Sequence, residues 1–331
     1  MRDPLRALQW EDGSLWILDQ RRLPAKRVWI RARRVETVAA AIESLAVRGA
    51  PAIGIAAAYG VALAAIHSQA TQANLHRVIK RLARTRPTGY NLFHALNRMT
   101  ELVNQGEANL ATRVVRLAET IHREDRHACL AMARHGLTVL GRAERILTYC
   151  NTGSLATGGI GTALGVIKQG RMRGKVSEVF ACETRPVGQG ARLTVWECVQ
   201  AGIPVTLICD NMVAALMQAG RVDRVLVGAD RIARNGDTSN KVGTLSLATL
   251  AYAYRIPFHV VAPTSTFDLS LKSGKEIPIE ERNQLEVTRI TPGLQRMRGY
   301  RVWNPAFDVT PGRLITSHIT EVGALRPPFR F

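Results

Sequence analysis

The chain has 331 residues, 46% hydrophobic and 21% charged, and a formal net charge of +19. At about 150 residues per domain this length predicts two domains, with enough surface removed from water to fold without disulfide staples. Five cysteines, an odd number without a C-x-x-C pair or metal-ligand spacing, argue against a disulfide framework and a structural zinc site.

Met1 to Gln20 carries Asp3, Glu11, Asp12 and Asp19 and lacks the apolar core of a secretion signal. The longest apolar stretch, Ala50 to Ile66, is rich in Ala and Gly and reads as too short and too weakly hydrophobic to span a bilayer. The expectation is a soluble cytoplasmic protein with no membrane partner. Arginines supply most of the positive charge and are spread along the chain, without a basic run or aromatic interleaving. That distribution fits a solvated surface better than a nucleic-acid site, and its potential suits the capture of a phosphorylated small substrate.

In chain order, Ala7, Leu8 and Trp10 lead into the turn Glu11-Asp12-Gly13, and Leu15 to Leu18 completes a β-hairpin. Val28 to Ile30 adds a further strand. Val38, Ala41, Ile42, Leu45 and Ala46 then recur at helical spacing, with Thr37 near the start and Gly49 near the end. Arg48-Gly49-Ala50-Pro51 opens a small-residue helix to about Ile66, because Pro51 suits a first helical turn. That turn is either an anion contact through Arg48 and free amides or a structural turn with an exposed Arg. Arg84 to Asn91 forms a second Arg/Pro/Gly loop between helices. A long helix over about 107–140 bridges two domains, 1–125 and 126–331, because no Pro/Ser/Gly-rich linker occurs.

Beyond the bridge, short apolar runs alternate with helical segments. The runs are Ile146 to Tyr149, Glu178 to Ala181, Pro204 to Ile208, Arg224 to Val227 and Phe258 to Ala262. This alternation predicts an α/β class with a parallel, doubly wound sheet in the C-terminal domain. Ile146 to Ile167 reads as strand, tight loop and helix, with Cys150 at the strand's carboxyl end, where open α/β sheets place ligands. Cys150 is either a reactive thiol there or a small buried hydrophobe.

Polar residues follow four of these strands: Cys150; Glu183-Thr184-Arg185-Pro186 with Gln189; Asp210-Asn211; and Gly228-Ala229-Asp230-Arg231. Asn240-Lys241 lies a short loop further on. Together they predict one polar crevice. Singly, each has a plainer reading: Asp230 as a loop acid paired with Arg231, Asp210 and Asn211 as caps of a helix near Met212, Arg185 paired with Glu183, and Gln189 solvated. The glycine loops match neither G-x-G-x-x-G nor the P-loop, so a dinucleotide or ATP is not indicated.

Arg48-Gly49-Ala50-Pro51-Ala52-Ile53-Gly54, Cys150-Asn151-Thr152-Gly153, Glu183-Thr184-Arg185-Pro186, Gly228-Ala229-Asp230-Arg231-Ile232 with Asn235-Gly236-Asp237, Asn240-Lys241 and Asn304-Pro305-Ala306-Phe307-Asp308-Val309-Thr310-Pro311 together resemble the methylthioribose-1-phosphate isomerase family. The likeness runs from the Trp10 hairpin to Glu321. It implies an N-terminal mainly helical domain with a small antiparallel β element, a C-terminal Rossmann-like domain, and a homodimer.

The resemblance also implies conversion of 5-methylthioribose 1-phosphate to 5-methylthioribulose 1-phosphate in methionine salvage, without metal or organic cofactor. By motif, Cys150 and Asp230 correspond to the catalytic pair. Arg48, Gly49, Ala50, Arg86, Gln189, Asn240 and Lys241 correspond to substrate contacts. Ribose-1,5-bisphosphate isomerases and the non-catalytic regulatory subunits of the translation-initiation exchange factor are similar in fold, and 5-deoxyribose 1-phosphate is a further substrate candidate. Three departures from the pattern stand out: Tyr149 in place of His before the cysteine, Ile160 in the small-residue loop, and a less acidic segment around Asn283-Gln284-Leu285.

Overall fold

The computed structural model describes residues 5–68, 70–106, 108–329 and 331. Strands β1 (Leu8–Glu11) and β2 (Ser14–Leu18) pair antiparallel across Asp12-Gly13, whose φ values of 48° and 62° are what a tight Asp-Gly hairpin turn requires. Strand β3 (Trp29–Ala32) pairs with β2 and starts one residue after the expected Val28. Helix α1 (Val35–Glu43) begins before Thr37 and ends well short of Gly49, because Leu45 turns the chain with a φ of 61°.

Helix α2 (Ala50–His67) is the axis of the N-terminal core. Its length and composition reach what a bilayer span needs, a correction to the expectation above, but 78% of it is buried inside the protein. Helices α3 (Gln72–Ala83), α4 (Tyr90–Asn104) and α5 (Leu110–Gly136) pack on it. The small side chains of α2 allow that close approach: a Cβ on Gly54 would lie 2.6 Å from the Asn91 carbonyl oxygen of α4. Ile55 and Leu63, both fully buried on α2, each contribute roughly 1.5–3 kcal/mol by leaving water. Trp10 stacks on Tyr59 at 4.8 Å between centroids and seats the hairpin on the helix.

The long helix expected over about 107–140 is α5, of 27 residues, or about 40 Å at ~1.5 Å per residue. Glu107, where the expected helix begins, lies outside the described residues. Leu110, Val114, Ala118 and Ile121 of α5 join the N-terminal core, whereas Cys129, Met132 and Ala133 turn to the C-terminal sheet, with Cys129 and Met132 entering a second core cluster there.

The C-terminal half contains β4 (Glu144–Thr148), α6 (Ala163–Met172), β5 (Val176–Cys182), α7 (Val195–Gln200), β6 (Val205–Ile208), α8 (Val213–Gln218), β7 (Arg224–Val227), β8 (Arg231–Ala233), β9 (Thr238–Lys241), α9 (Thr244–Ala253), β10 (Phe258–Val261), β11 (Phe267–Asp268), β12 (Phe307–Thr310), β13 (Ser317–Thr320) and β14 (Gly323–Leu325). The main sheet has the order β14-β13-β10-β7-β4-β5-β6, parallel except for β14. Numbered from β4 as the first parallel strand, that is 3-2-1-4-5-6, the doubly wound order. The direction of winding reverses between β4 and β7, so Cys150 and the Gly228–Asp230 loop leave the sheet on either side of its topological switch point.

All five expected apolar runs are strands of this sheet. A second sheet, β11-β8-β9-β12, did not stand out in the sequence because its strands are short and partly polar. It matters here because the β8–β9 hairpin carries Asp230 at its base and Asn240 and Lys241 on β9.

Candidate active site

The loop after β4 starts at Cys150, which holds a φ of 61° that L-residues rarely adopt. Two threonines hold it there. The Cys150 N–H donates to Thr184 Oγ1 at 2.9 Å, and the Thr194 hydroxyl donates to the Cys150 carbonyl at 2.6 Å. Cys150 is therefore fixed at the sheet edge, 8% exposed, where it both joins the C-terminal hydrophobic core and lines a cavity.

Asp210 is not the cap of its own helix, as one reading had it. Its carboxylate accepts the N–H groups of Thr184 and Arg185 at 2.8 and 2.7 Å, which orders the loop that supports Cys150. Arg185 does not pair with Glu183; its guanidinium donates to the Pro186 and Val287 carbonyls.

Asp230 is not paired with Arg231, whose ion-pair partner is Asp268 at 3.4 Å. The Asp230 backbone N–H donates to the Ser239 carbonyl, which fixes the residue at the base of the β8–β9 hairpin. Its side chain is deep in the protein but open to a cavity. Desolvation pushes its carboxyl above the usual carboxylate range, opposed by the charges of Lys241, Arg48 and Arg86. Lys241 is buried, and desolvation lowers its ammonium pKa. Cys150 and Asp230 are near enough to act on its charge. Its Nζ donates to the Ala306 carbonyl at 2.7 Å and sits 4.6 Å from the Phe307 ring centroid.

The Asn304–Pro311 motif thereby acquires a physical role. Strand β12 pairs with β9, Ala306 and Phe307 hold Lys241, and Asp308 accepts the N–H groups of Gly243 and Leu245 at the start of α9. Burial raises the Asp308 carboxyl to about 6 against those two bonds. Tyr149, the departure next to the cysteine, donates its hydroxyl to the Val242 carbonyl at 2.9 Å and ties the end of β4 to the chain just after Lys241.

Helix α2 opens onto the same space. Gly49 has a φ of 100° and presses against Ala156, whose Cα would lie 2.5 Å from a Cβ at that position. The helix N-terminus has no side-chain cap, and Gly49, Ala50 and Pro51 lie in the cavity wall. Arg48 is not a free surface charge. Its two terminal nitrogens donate to the side-chain and backbone oxygens of Asn151, at 3.0 and 3.1 Å. A guanidinium beside unpaired helix amides is a strong anion site.

Arg86 donates to Glu280 at 2.8 Å, and its Nε is buried without a partner among the described residues. Gln189 is buried rather than solvated, with Oε1 unpartnered in the same sense. Asn240 donates its side-chain amide to Thr244 Oγ1 at 3.0 Å.

One cavity of about 450 Å³ is lined by all nine residues singled out above: Arg48, Gly49, Ala50, Arg86, Cys150, Gln189, Asp230, Asn240 and Lys241. Sequence reasoning did not find Arg192, Arg282 and Arg289 in the same wall. Arg192 lies in a helical stretch with no turn chemistry, and the other two lie in an irregular segment; only the overall positive charge hinted at them. Arg282 pairs with Glu286 at 2.5 Å and with Glu280 at 3.7 Å, so two acids that flank the less acidic segment are engaged by the cavity's arginines. Asp230 is the single carboxylate in the wall as described.

Among the described residues no group of three or more His, Cys, Asp or Glu side chains is arranged to hold a metal ion. What the cavity offers is a cationic, partly dry space with a thiol, an elevated carboxyl and amide groups converging on it. Such a space can hold a phosphate ester and exchange protons with it.

Fold and site together define an α/β protein with a cationic crevice at the switch point of a doubly wound sheet. Residues 46–327 match the initiation factor 2 subunit family, and the chain belongs to it. It is 50% identical to the methylthioribose-1-phosphate isomerase of Pelotomaculum thermopropionicum, over 98% of this chain and 92% of that one. It is also 50% identical to the 5-deoxyribose 1-phosphate isomerase of Moorella thermoacetica, over 100% and 97% of the two chains. The solved 5-methylthioribose 1-phosphate isomerase from Pyrococcus horikoshii OT3 is similar in structure, with a TM-score of 0.90, 44% identity and coverage of 99% and 97%.

Proposed function

We propose that the chain is an aldose-ketose isomerase that converts 5-methylthioribose 1-phosphate to 5-methylthioribulose 1-phosphate in methionine salvage, with no metal or organic cofactor. The observation that carries this reading is Cys150 and Asp230 meeting in one cationic cavity at the switch point, in a chain about half identical to enzymes named for that reaction.

The substrate's phosphate sits on the anomeric oxygen, so the sugar ring cannot open spontaneously to a free aldehyde. Asp230, whose carboxyl is raised by its dry setting, donates in its protonated form to the ring oxygen as the bond from C1 to that oxygen breaks. The C2 hydrogen then moves to C1 and the C2 hydroxyl loses its proton, which leaves the ketone. By one route the Cys150 sulfur takes the C2 hydrogen as a proton and returns it to C1. By the other the hydrogen shifts directly as hydride and Cys150 handles only a hydroxyl proton. Arg48 with Gly49 and Ala50 at the α2 N-terminus, and Arg86, Gln189, Asn240 and Lys241, hold the phosphate and hydroxyl groups.

A second substrate, 5-deoxyribose 1-phosphate, is favoured by the 50% identical relative named for it, and it differs from the first only at C5. The chain works in the cytoplasm as a homodimer and not on nucleic acid. The unpaired edge strand β6, with Leu207 49% exposed, supports a partner surface. The domain boundary falls within α5, which is supported by one core ending at Ile121 and another starting at Cys129.

The deciding experiment compares turnover of methylthioribose 1-phosphate, 5-deoxyribose 1-phosphate and ribose 1,5-bisphosphate by chelator-treated protein. Turnover of the first, with the bisphosphate at least about tenfold poorer, is expected. Turnover of none, with tight binding to a translation factor, would replace the enzyme by a regulatory subunit. Running the reaction in D2O tests the routes: deuterium at C1 of the product marks proton transfer through a thiol that exchanges with solvent, and it rules out a pure hydride shift.

A further inference from the structure

The cavity wall is held from behind by a carboxylate that does not reach it. Glu197, on α7, is completely buried. Its Oε1 accepts from Asn151 Nδ2 at 2.8 Å and the Leu155 N–H at 3.3 Å, and its Oε2 accepts from the Ser154 N–H at 2.7 Å and Lys168 Nζ at 3.2 Å. The loop that follows Cys150 is wrapped so closely around this group that a Cβ on Gly153 would collide with it.

A buried ionised carboxylate is costly, and a loop can be ordered by neutral groups. What the charge adds is direction. The Asn151 amide has a donor end and an acceptor end. With the donor end held by Glu197 and by Thr194 Oγ1, at 2.8 and 3.3 Å, Oδ1 points the other way and receives Arg48 Nη1 at 3.0 Å. A carboxylate has no N–H to offer, so it enforces this orientation. With a neutral amide in its place, Asn151 can flip and turn its NH2 against the guanidinium.

We propose that Glu197 is a positioning residue that acts through Asn151 to aim the Arg48 guanidinium into the cavity for the substrate phosphate. This rests on the reading of the cavity as a sugar-phosphate site. The relay runs from Lys168 through Glu197 and Asn151 to Arg48, and it couples the core behind α7 to the mouth of α2.

The test is inorganic phosphate binding by calorimetry, in the full chain and in Glu197→Gln, Arg48→Ala and the double variant. Arg48→Ala is expected to weaken binding about tenfold, since bonds to charged groups are the strong ones, and Glu197→Gln about fivefold. The double variant should bind within about twofold of Arg48→Ala alone, because Glu197 has nothing left to aim. Asn151→Ala cuts the relay while leaving the bonds from Glu197 to Ser154, Leu155 and Lys168, and it should match Glu197→Gln even if that variant folds poorly.

In steady-state assays both single relay variants should raise KM more than they lower kcat. A merely structural role predicts effects that multiply in the double variant. That result, unchanged phosphate affinity in Asn151→Ala, or no phosphate binding by the unmodified chain would each overturn the proposal. Failure of the isomerase reading is seen separately, as absent sugar turnover by the unmodified chain.

Discussion

Thr184 and Cys150, at the carboxyl ends of adjacent parallel strands, both adopt left-handed backbone conformations, with φ of 65° and 61°, and the hydroxyl of the first receives the amide of the second. Two neighbouring strands thus turn sharply at the same level, and Thr184, itself held by Asp210, braces the turn at Cys150. Thr184→Val should cost about 1–3 kcal/mol in denaturant unfolding, because it orphans the buried Cys150 amide. Turnover should fall with it by about tenfold or more, since the thiol loses its fixed aim. Unaltered turnover would show that Cys150 does not depend on this brace.

Cys150→Ser and Asp230→Asn should each lose most activity, by a factor on the order of 100 or more, while keeping the native circular dichroism and melting behaviour. Full activity in both would sink the catalytic assignment. The Asp230 carboxyl is raised by desolvation, and in the proposed mechanism its protonated form is the donor. Activity should therefore decline as pH rises through that elevated value, and whatever activity remains in Asp230→Asn should lack this decline.

Gly49→Ala puts a Cβ where Ala156 already sits, at a φ of 100°. The backbone strain and the clash together should destabilise the fold by at least about 2 kcal/mol. Because Gly49 starts α2, the sugar-phosphate KM should also rise. A variant as stable as the parent in urea would contradict the close approach.

His259, buried between Arg224 and the Ser317 hydroxyl, has its pKa lowered to about 3 by desolvation and then by the Arg224 and Arg326 charges. A lowered histidine stays neutral in the folded chain while the unfolded chain takes up a proton below about 6.5. Its contribution is present above that value and lost as pH falls toward 3. Between about pH 6.5 and 4 the loss amounts to roughly 3 kcal/mol. In urea titrations His259→Gln should be less stable than the parent at pH 7, and that gap should narrow by a similar amount at pH 4. A gap that stays constant would mean that His259 is not neutral in the fold.

Much of this molecule is written locally. The Asp12-Gly13 turn, the Ala/Gly-rich α2 and the five β-branched runs of the main sheet are visible because each depends on short-range preferences and simple periodicity. The β8–β9 and β12 pairing was not visible, since β9 reads Thr-Ser-Asn-Lys and owes its strand conformation to partners as far away as Phe307. Asp210 illustrates the same limit. Its neighbours suggest a cap, and only the fold brings the amides of Thr184 and Arg185 to its oxygens.

The sequence by itself determined which polar residues gather in one crevice: groups placed just after parallel strands must collect at one sheet edge, because every such strand points the same way. Tertiary structure alone decided how they are held. It set the environment that raises Asp230, brought Arg192, Arg282 and Arg289 into the wall, and buried Glu197 behind Asn151. Desolvation and hydrogen-bond geometry depend on atoms that are distant in sequence, and no local pattern records them.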